Sequence, residues 1–252
     1  MNKMAKSNGI LKIEGTLDEL TFYNKDGKSF VRKKGGVSKE RIENDPNYVR
    51  TRENNAEFSH STSAAKTLRM ALGSLVFKAK DNKLSPRMMQ MMSRVKNLDL
   101  VSARGQRQVG IGFEDTAGKD LLKGFDFNIN ARLQSVLFAP YTLNVTTGVL
   151  TIPNLIPAEQ LLFPQGATHV SLQNAVLAID FVSGASQLAF SPIVNLPINL
   201  TQSSPALTPT SVPPSTGLQL FLIIVSFYQQ VNGVQYSLKN EEYNVLNVLE
   251  VV

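Results

Sequence analysis

Residues 218–238 read LQLFLIIVSFYQQVNGVQYSL. From Leu218 to Phe227, apolar side chains fill both alternating sets of positions. That is the signature of a strand covered on both faces, not a half-exposed one. Asn232-Gly233 follows, the dipeptide that best tolerates the two positive φ angles of a two-residue hairpin. Residues 234–238 then return. The stretch therefore predicts a central strand and its antiparallel neighbour.

Period-two patterning extends outward from it. Residues 170–172 lead into a strand at 175–182, and Ser183-Gly184 turns the chain into 186–190. Residues 194–200 form a strand that Pro197 confines to an edge. Residues 142–145 pair with 149–152 across Thr146-Thr147-Gly148, and 243–252 close the chain. Strands are also expected at 108–113, 121–128 and 135–138, with Asp115–Gly118 as a turn. Residues 153–166 contain three prolines and one helical turn, and the Ser/Thr/Pro-rich 201–216 form a surface loop. Many short strands with regular turn signals predict an antiparallel β-sandwich over 101–252.

Before residue 101 the period changes. Ala65, Leu68, Leu72, Leu75, Val76 and Ala79 make one helical stripe capped by Ser61 or Ser63, with Gly73 as a weak point. Ser85-Pro86 restarts a helix as N-cap and first residue, with Met88, Met91, Met92, Val95 and Leu98 inward. Residues 61–100 thus form a helical hairpin, its methionines filling the core. Only Arg87, Arg94 and Lys96 lie on the second helix, too few bases for a DNA-reading helix-turn-helix. Residues 37–60 read as an extended polar connector with a helical turn near 39–42, broken at Asn44-Asp45-Pro46.

The N-terminal stretch, residues 9–36, reads GILKIEGTLDELTFYNKDGKSFVRKKGG. Leu20, Phe22 and Phe30 alternate with polar residues around the turn Asn24-Lys25-Asp26-Gly27. Arg32, Lys33 and Lys34 then form a basic clip. A lone hairpin is marginal in water, so this arm must lean on its own body or on a neighbour. Residues 1–60 are the arm and connector. The candidate partner-binding residues are Leu20, Phe22, Tyr23, Phe30, Arg32, Lys33 and Lys34. The fold class is α+β, mainly β: arm, helical hairpin, sandwich.

Charge is split along the chain. Residues 1–110 hold 22 Lys and Arg against 11 Asp and Glu, a balance of +11, while 111–252 hold 4 against 9, a balance of −5. A basic half implies an anionic partner, either nucleic acid or the acidic half of another copy. There is no cysteine, and His60 and His169 are the two histidines. No metal or cofactor site is expected. His60 reads as the start of a helix and His169 as a strand rim. Residues 1–10 lack the apolar core of a signal peptide, and no apolar run approaches membrane-spanning length. The expectation is a cytoplasmic protein, or part of a particle released without a signal.

No Gly-x-Ser-x-Gly, Walker or His-Glu-x-x-His motif is present. Gly110-Ile111-Gly112 reads as a bulge or a close backbone approach. Glu114-Asp115 and Glu241-Glu242 read as solvated turn charges. The expectation is a protein that is not an enzyme.

Gly15-Thr16-Leu17, Leu20-Thr21-Phe22-Tyr23, Gly27-Lys28, Val31-Arg32-Lys33-Lys34 and Arg52-Glu53-Asn54-Asn55-Ala56-Glu57-Phe58 resemble a family of uncharacterised Bacteroidetes proteins. Its members share a basic start, a helical middle and a β-sandwich-like end. The resemblance spans residues 9–80, implies a bacterial or phage-borne source, and transfers no activity. The residues thus predict a structural protein that self-assembles through its arm into a filament, tube or particle. The alternative is a nucleic-acid-binding accessory protein using the basic half.

Overall fold

A computed structural model of the chain describes residues 5–7, 13–214, 217–238 and 243–252. The Glu241-Glu242 turn and most of the N-terminal decapeptide lie outside the described residues. The fold is α+β and mainly β. Two compact units divide the chain, residues 1–52 and 53–252.

The first unit holds a four-stranded antiparallel sheet and a short helix. Strands β1 (Ala5–Ser7), β2 (Gly15–Leu17), β3 (Leu20–Lys25) and β4 (Lys28–Lys33) run in the order β1-β4-β3-β2. The arm is therefore a small sheet, not the single hairpin that the alternation predicts. Helix α1 (Lys39–Asn44) is capped by Ser38, and Asp45 stops it before Pro46.

Helix α2 (Val49–Leu72) begins well before Ser61. Most of the predicted extended connector is thus helical, and Ser61 lies mid-helix, donating to the Glu57 carbonyl. The apolar stripe starts only at Ala64, which is why periodicity misses the first fifteen residues. Polar contacts hold that half instead, as described below. Gly73, at φ 50°, separates α2 from α3 (Ser74–Lys78). Helix α4 (Leu84–Lys96) starts one residue before Ser85, with Lys83 at its N-cap.

Strands expected at 108–113 and 135–138 are instead the short helices α5 (Val109–Gly112) and α7 (Leu133–Val136). The turn and first half of the strand expected at 115–128 are α6 (Thr116–Leu122), capped by Asp115. Alternation over so few residues cannot separate strand from helix. Close backbone approach, however, is what the glycines provide. A Cβ on Gly112 would lie 2.1 Å from the Val95 carbonyl oxygen, and one on Gly118 would lie 2.1 Å from that of Gly112. These contacts bring α4, α5 and α6 together without side chains between them.

The sheet of the body is built on two long strands, β7 (His169–Ile179) and β11 (Leu218–Val231), paired from Leu218↔Ile179 to Tyr228↔His169. Strands β8 (Ser186–Phe190) and β9 (Val194–Pro197) extend the β7 side. Strands β12 (Val234–Ser237) and β13 (Val245–Val251) extend the β11 side. Asn232 and Gly233 adopt φ 50° and 79°, the expected hairpin geometry. A smaller sheet comprises β5 (Thr142–Leu143), β6 (Leu150–Thr151) and β10 (Ala206–Leu207). Helix α8 (Pro157–Gln160) lies between β6 and β7 in sequence.

Both faces of the large sheet's two central strands are buried. Ala175, Leu177, Ile179, Leu220 and Leu222 join Leu68, Leu72, Met88, Met92 and Phe113 in one core, so the helices cover that face. Val170, Leu172, Ile223, Val225 and Phe227 join Leu150, Ile152, Leu155 and Leu207 in the other. The methionines are core, as expected. The C-terminal part is sandwich-like, its second layer being short strands and loops. Buried Asn174 tethers that layer, donating to the Gly148 and Leu207 carbonyls.

Gly112→Ala is expected to lower unfolding free energy by about 3 kcal/mol, because backbone cannot retreat as a side chain can. At Gly110 a Cβ would meet only a Val182 methyl at 3.3 Å, so Gly110→Ala should cost under about 1 kcal/mol. Guanidinium titrations of the two variants test the contrast.

Candidate functional site

The arm is built by two tight turns. Asp18, at φ 51°, turns β2 into β3. Asp26 and Gly27, at φ 52° and 73°, turn β3 into β4 as Asp-Gly predicts. Residues directly opposite in an antiparallel ladder share a face, so the register assigns every side chain. Leu17↔Leu20, Phe22↔Val31 and Leu20↔Lys33 put Leu17, Leu20, Phe22, Val31 and Lys33 on one face. Thr21↔Arg32, Tyr23↔Phe30 and Lys25↔Lys28 put those six on the other.

One face is thus apolar and the other aromatic and basic. The seven predicted residues divide between them: Leu20, Phe22 and Lys33 on the first, Tyr23, Phe30 and Arg32 on the second. Lys34 follows β4, its N–H donating to the Glu19 carbonyl at 2.5 Å. Tyr23 and Phe30 stack at 5.6 Å, and Arg32 lies 5.5 Å over the Tyr23 ring. Lys33 pairs with Glu19 at 2.9 Å, and Asn24 donates to Glu14 at 2.6 Å. None of the described residues 13–52 is buried; Leu17 is 67% and Leu20 44% exposed.

The body carries a buried polar network that sequence reasoning did not find. Glu57 on α2 pairs with Lys96 on α4, and its other oxygen accepts from the Gly105 N–H at 2.8 Å. Arg107 lies 3.6 Å from the same carboxylate. Asp99 accepts from the N–H groups of Val101, Ser102 and Gln108. His60, predicted to open a helix, lies within α2 and accepts from the Val109 N–H through Nε2 at 3.0 Å. The loop 97–108 is thereby strapped to α2 and α4. Arg107, Glu57 and Lys96 are far apart in sequence, which is why no motif announces them.

Burial pushes the Asp99 carboxyl up, but the surrounding N–H groups and the Ser102 hydroxyl outweigh it and hold the pKa at about 2. Burial also raises Glu57, and Lys96, the Gly105 N–H and Arg107 bring it below its usual value. Burial lowers His60; Lys96 adds to this and Asp99 opposes it. His60 is thus held neutral as an acceptor, a structural role.

An open cleft of about 640 Å³ is lined by Arg87, Lys123, Asp126, Arg132 and Tyr141, among others. Arg87 pairs with Asp81 and donates to the Asp126 and Phe127 carbonyls. Lys123 pairs with Glu250 at 2.6 Å, which raises its pKa despite partial burial. Asp126 accepts from Asn247 and the Leu133 N–H. Arg87, Lys123 and Asp126 are thus committed to holding the fold. Among the described residues no cluster of three His, Asp or Glu could hold a metal ion, and no helix is long and apolar enough to cross a membrane. His169 contacts the Thr168 hydroxyl at 3.0 Å at the start of β7.

The network predicts two acid limbs. His60 is depressed in the folded state, so its contribution is whole above the unfolded value of 6.5 and fades as pH falls below it. Asp99, depressed from 3.8 to about 2, contributes about 2 kcal/mol, complete above about pH 5 and lost toward pH 2. Denaturation midpoints measured from pH 8 to 3 should fall in both ranges. His60→Gln keeps an acceptor and should abolish the upper limb only; a wild type with no change between pH 7 and 5 would contradict this.

No protein-family model, curated protein or solved structure matches the chain.

Proposed function

We propose that the protein is a non-enzymatic structural subunit that self-assembles through its N-terminal arm. The observation that carries this is a sheet of which no described residue from 13 to 52 is buried, with Leu17, Leu20, Phe22 and Val31 gathered on one side. Its central positions, Thr21 to Tyr23 and Ser29 to Val31, are only half-buried, and a small sheet with so little burial has little to hold it. Its outer strand β2, Gly-Thr-Leu, also carries no charge to discourage strand addition.

In this mechanism the apolar face packs on a neighbouring copy while β2 adds to an open sheet edge there. Backbone hydrogen bonds supply affinity and alternate side chains supply specificity. On the body, β8 (sequence SQLAF) is an uncharged outer strand of the same kind. Burying Leu17 and Leu20 would contribute roughly 1–2 kcal/mol each. Association costs about 4–15 kcal/mol in lost freedom, so one arm contact is weak. An assembly in which each copy both gives and receives an arm doubles the contacts per subunit. Such head-to-tail contacts close into rings or run on as fibres. The opposed charges of residues 1–110 and 111–252 favour the same association.

Deleting residues 1–36 is expected to leave a folded, soluble monomer, while the full chain elutes as a large species. Size-exclusion chromatography with light scattering distinguishes them. If the shortened chain forms the same large species, the arm is not the connector.

A further inference from the structure

We infer that the aromatic–basic face of the arm binds single-stranded nucleic acid without regard to sequence. This goes beyond self-assembly, because it uses the face opposite the apolar one. Three successive rungs of the β3–β4 ladder compose it: Lys25↔Lys28, Tyr23↔Phe30 and Thr21↔Arg32. Rungs that share a face lie two residues apart, or about 7 Å. A stacked aromatic rung is thus flanked on both sides by cations, spaced to hold a base between two phosphate contacts.

One feature is poorly explained by stability alone. Lys25 and Lys28 stand directly opposite each other at the hairpin end, and like charges so placed destabilise a ladder. An anion bound between them reverses that penalty. Arg32 lies over the Tyr23 ring, placing a planar cation beside the platform, where it can stack on a base or reach a phosphate.

Two of the arm's carboxylates are engaged by other groups. Glu14 is engaged by Asn24 and Glu19 by Lys33; Asp18 and Asp26 sit in the two turns, Asp26 between the two lysines. Asn24, whose amide could read a base edge, lies on the opposite face and is held by Glu14 and Ser29. What remains is stacking and charge, which tolerate any base. Bases in a duplex are already stacked on one another, so single strands are favoured.

The test uses the full chain and a fluorescently labelled oligothymidine of about 20 nucleotides, with the matching duplex and dextran sulfate as competitors. Anisotropy should report binding that weakens steeply with salt and is displaced far better by single strand than by duplex or dextran sulfate. Tyr23→Leu with Phe30→Leu should weaken it roughly tenfold or more. Lys25→Gln with Lys28→Gln provides a control against misfolding. Relief of repulsion should leave the arm at least as stable, while affinity falls and the salt slope becomes shallower by up to about 0.7 per lysine. Equal displacement by dextran sulfate together with indifference to the leucine variants would overturn the inference, as would no binding at low salt. Light scattering on the same variants should show assembly unchanged, so the two activities stand or fall separately.

Discussion

A β-sheet is stable to the extent that its faces are covered, and the arm sheet and the large sheet of the body differ most in how many of their residues are buried. In the body, β7 and β11 pair over eleven residues and are buried on both faces. The helices fill one side; the small sheet and its loops fill the other. The core of residues 53–252 is organised by this double burial. It explains the apolar run of residues 218–227, the methionine-lined helix α4, and Asn174, which is buried but spends its amide on two carbonyls. In the arm, by contrast, no described residue from 13 to 52 is fully buried.

How much of this the sequence discloses depends on distance along the chain. The Asn232-Gly233 and Asp26-Gly27 hairpins, the 142–152 hairpin, the β7–β8 turn and the apolar stripe from Ala65 are all local, and all are found where expected. What the sequence hides depends on partners far away. The first half of α2 carries no apolar stripe; it is helical because Glu53 meets Arg104 and Glu57 meets Lys96 and Gly105. The helices α5 and α7 are four residues each, too short for any period to be counted. Residues 124–127 run beside β13 through backbone bonds to Leu246 and Val248, so the strand predicted at 121–128 is half present.

The candidate site has the same character. Its residue types and turns are local, and the seven residues are legible as a group. Their division into two faces is not, because it depends on register. A shift of one residue would set Phe22 opposite Phe30 or Arg32 instead of Val31 and erase the contrast. Register is fixed by the two tight turns, at Asp18 and at Asp26-Gly27. The resulting object is a small ribbon with a mainly apolar side, a cationic aromatic side and an uncharged outer strand.

The central claim is that this ribbon obtains its missing cover from another polypeptide. Hydrogen–deuterium exchange of the full chain, followed across residues 15–33 at increasing protein concentration, tests it most directly. The account predicts fast exchange of the β2–β4 amides in dilute solution and protection that grows with concentration, while β7 and β11 remain protected throughout. Strong protection of the arm in a dilute, demonstrably monomeric sample would contradict it.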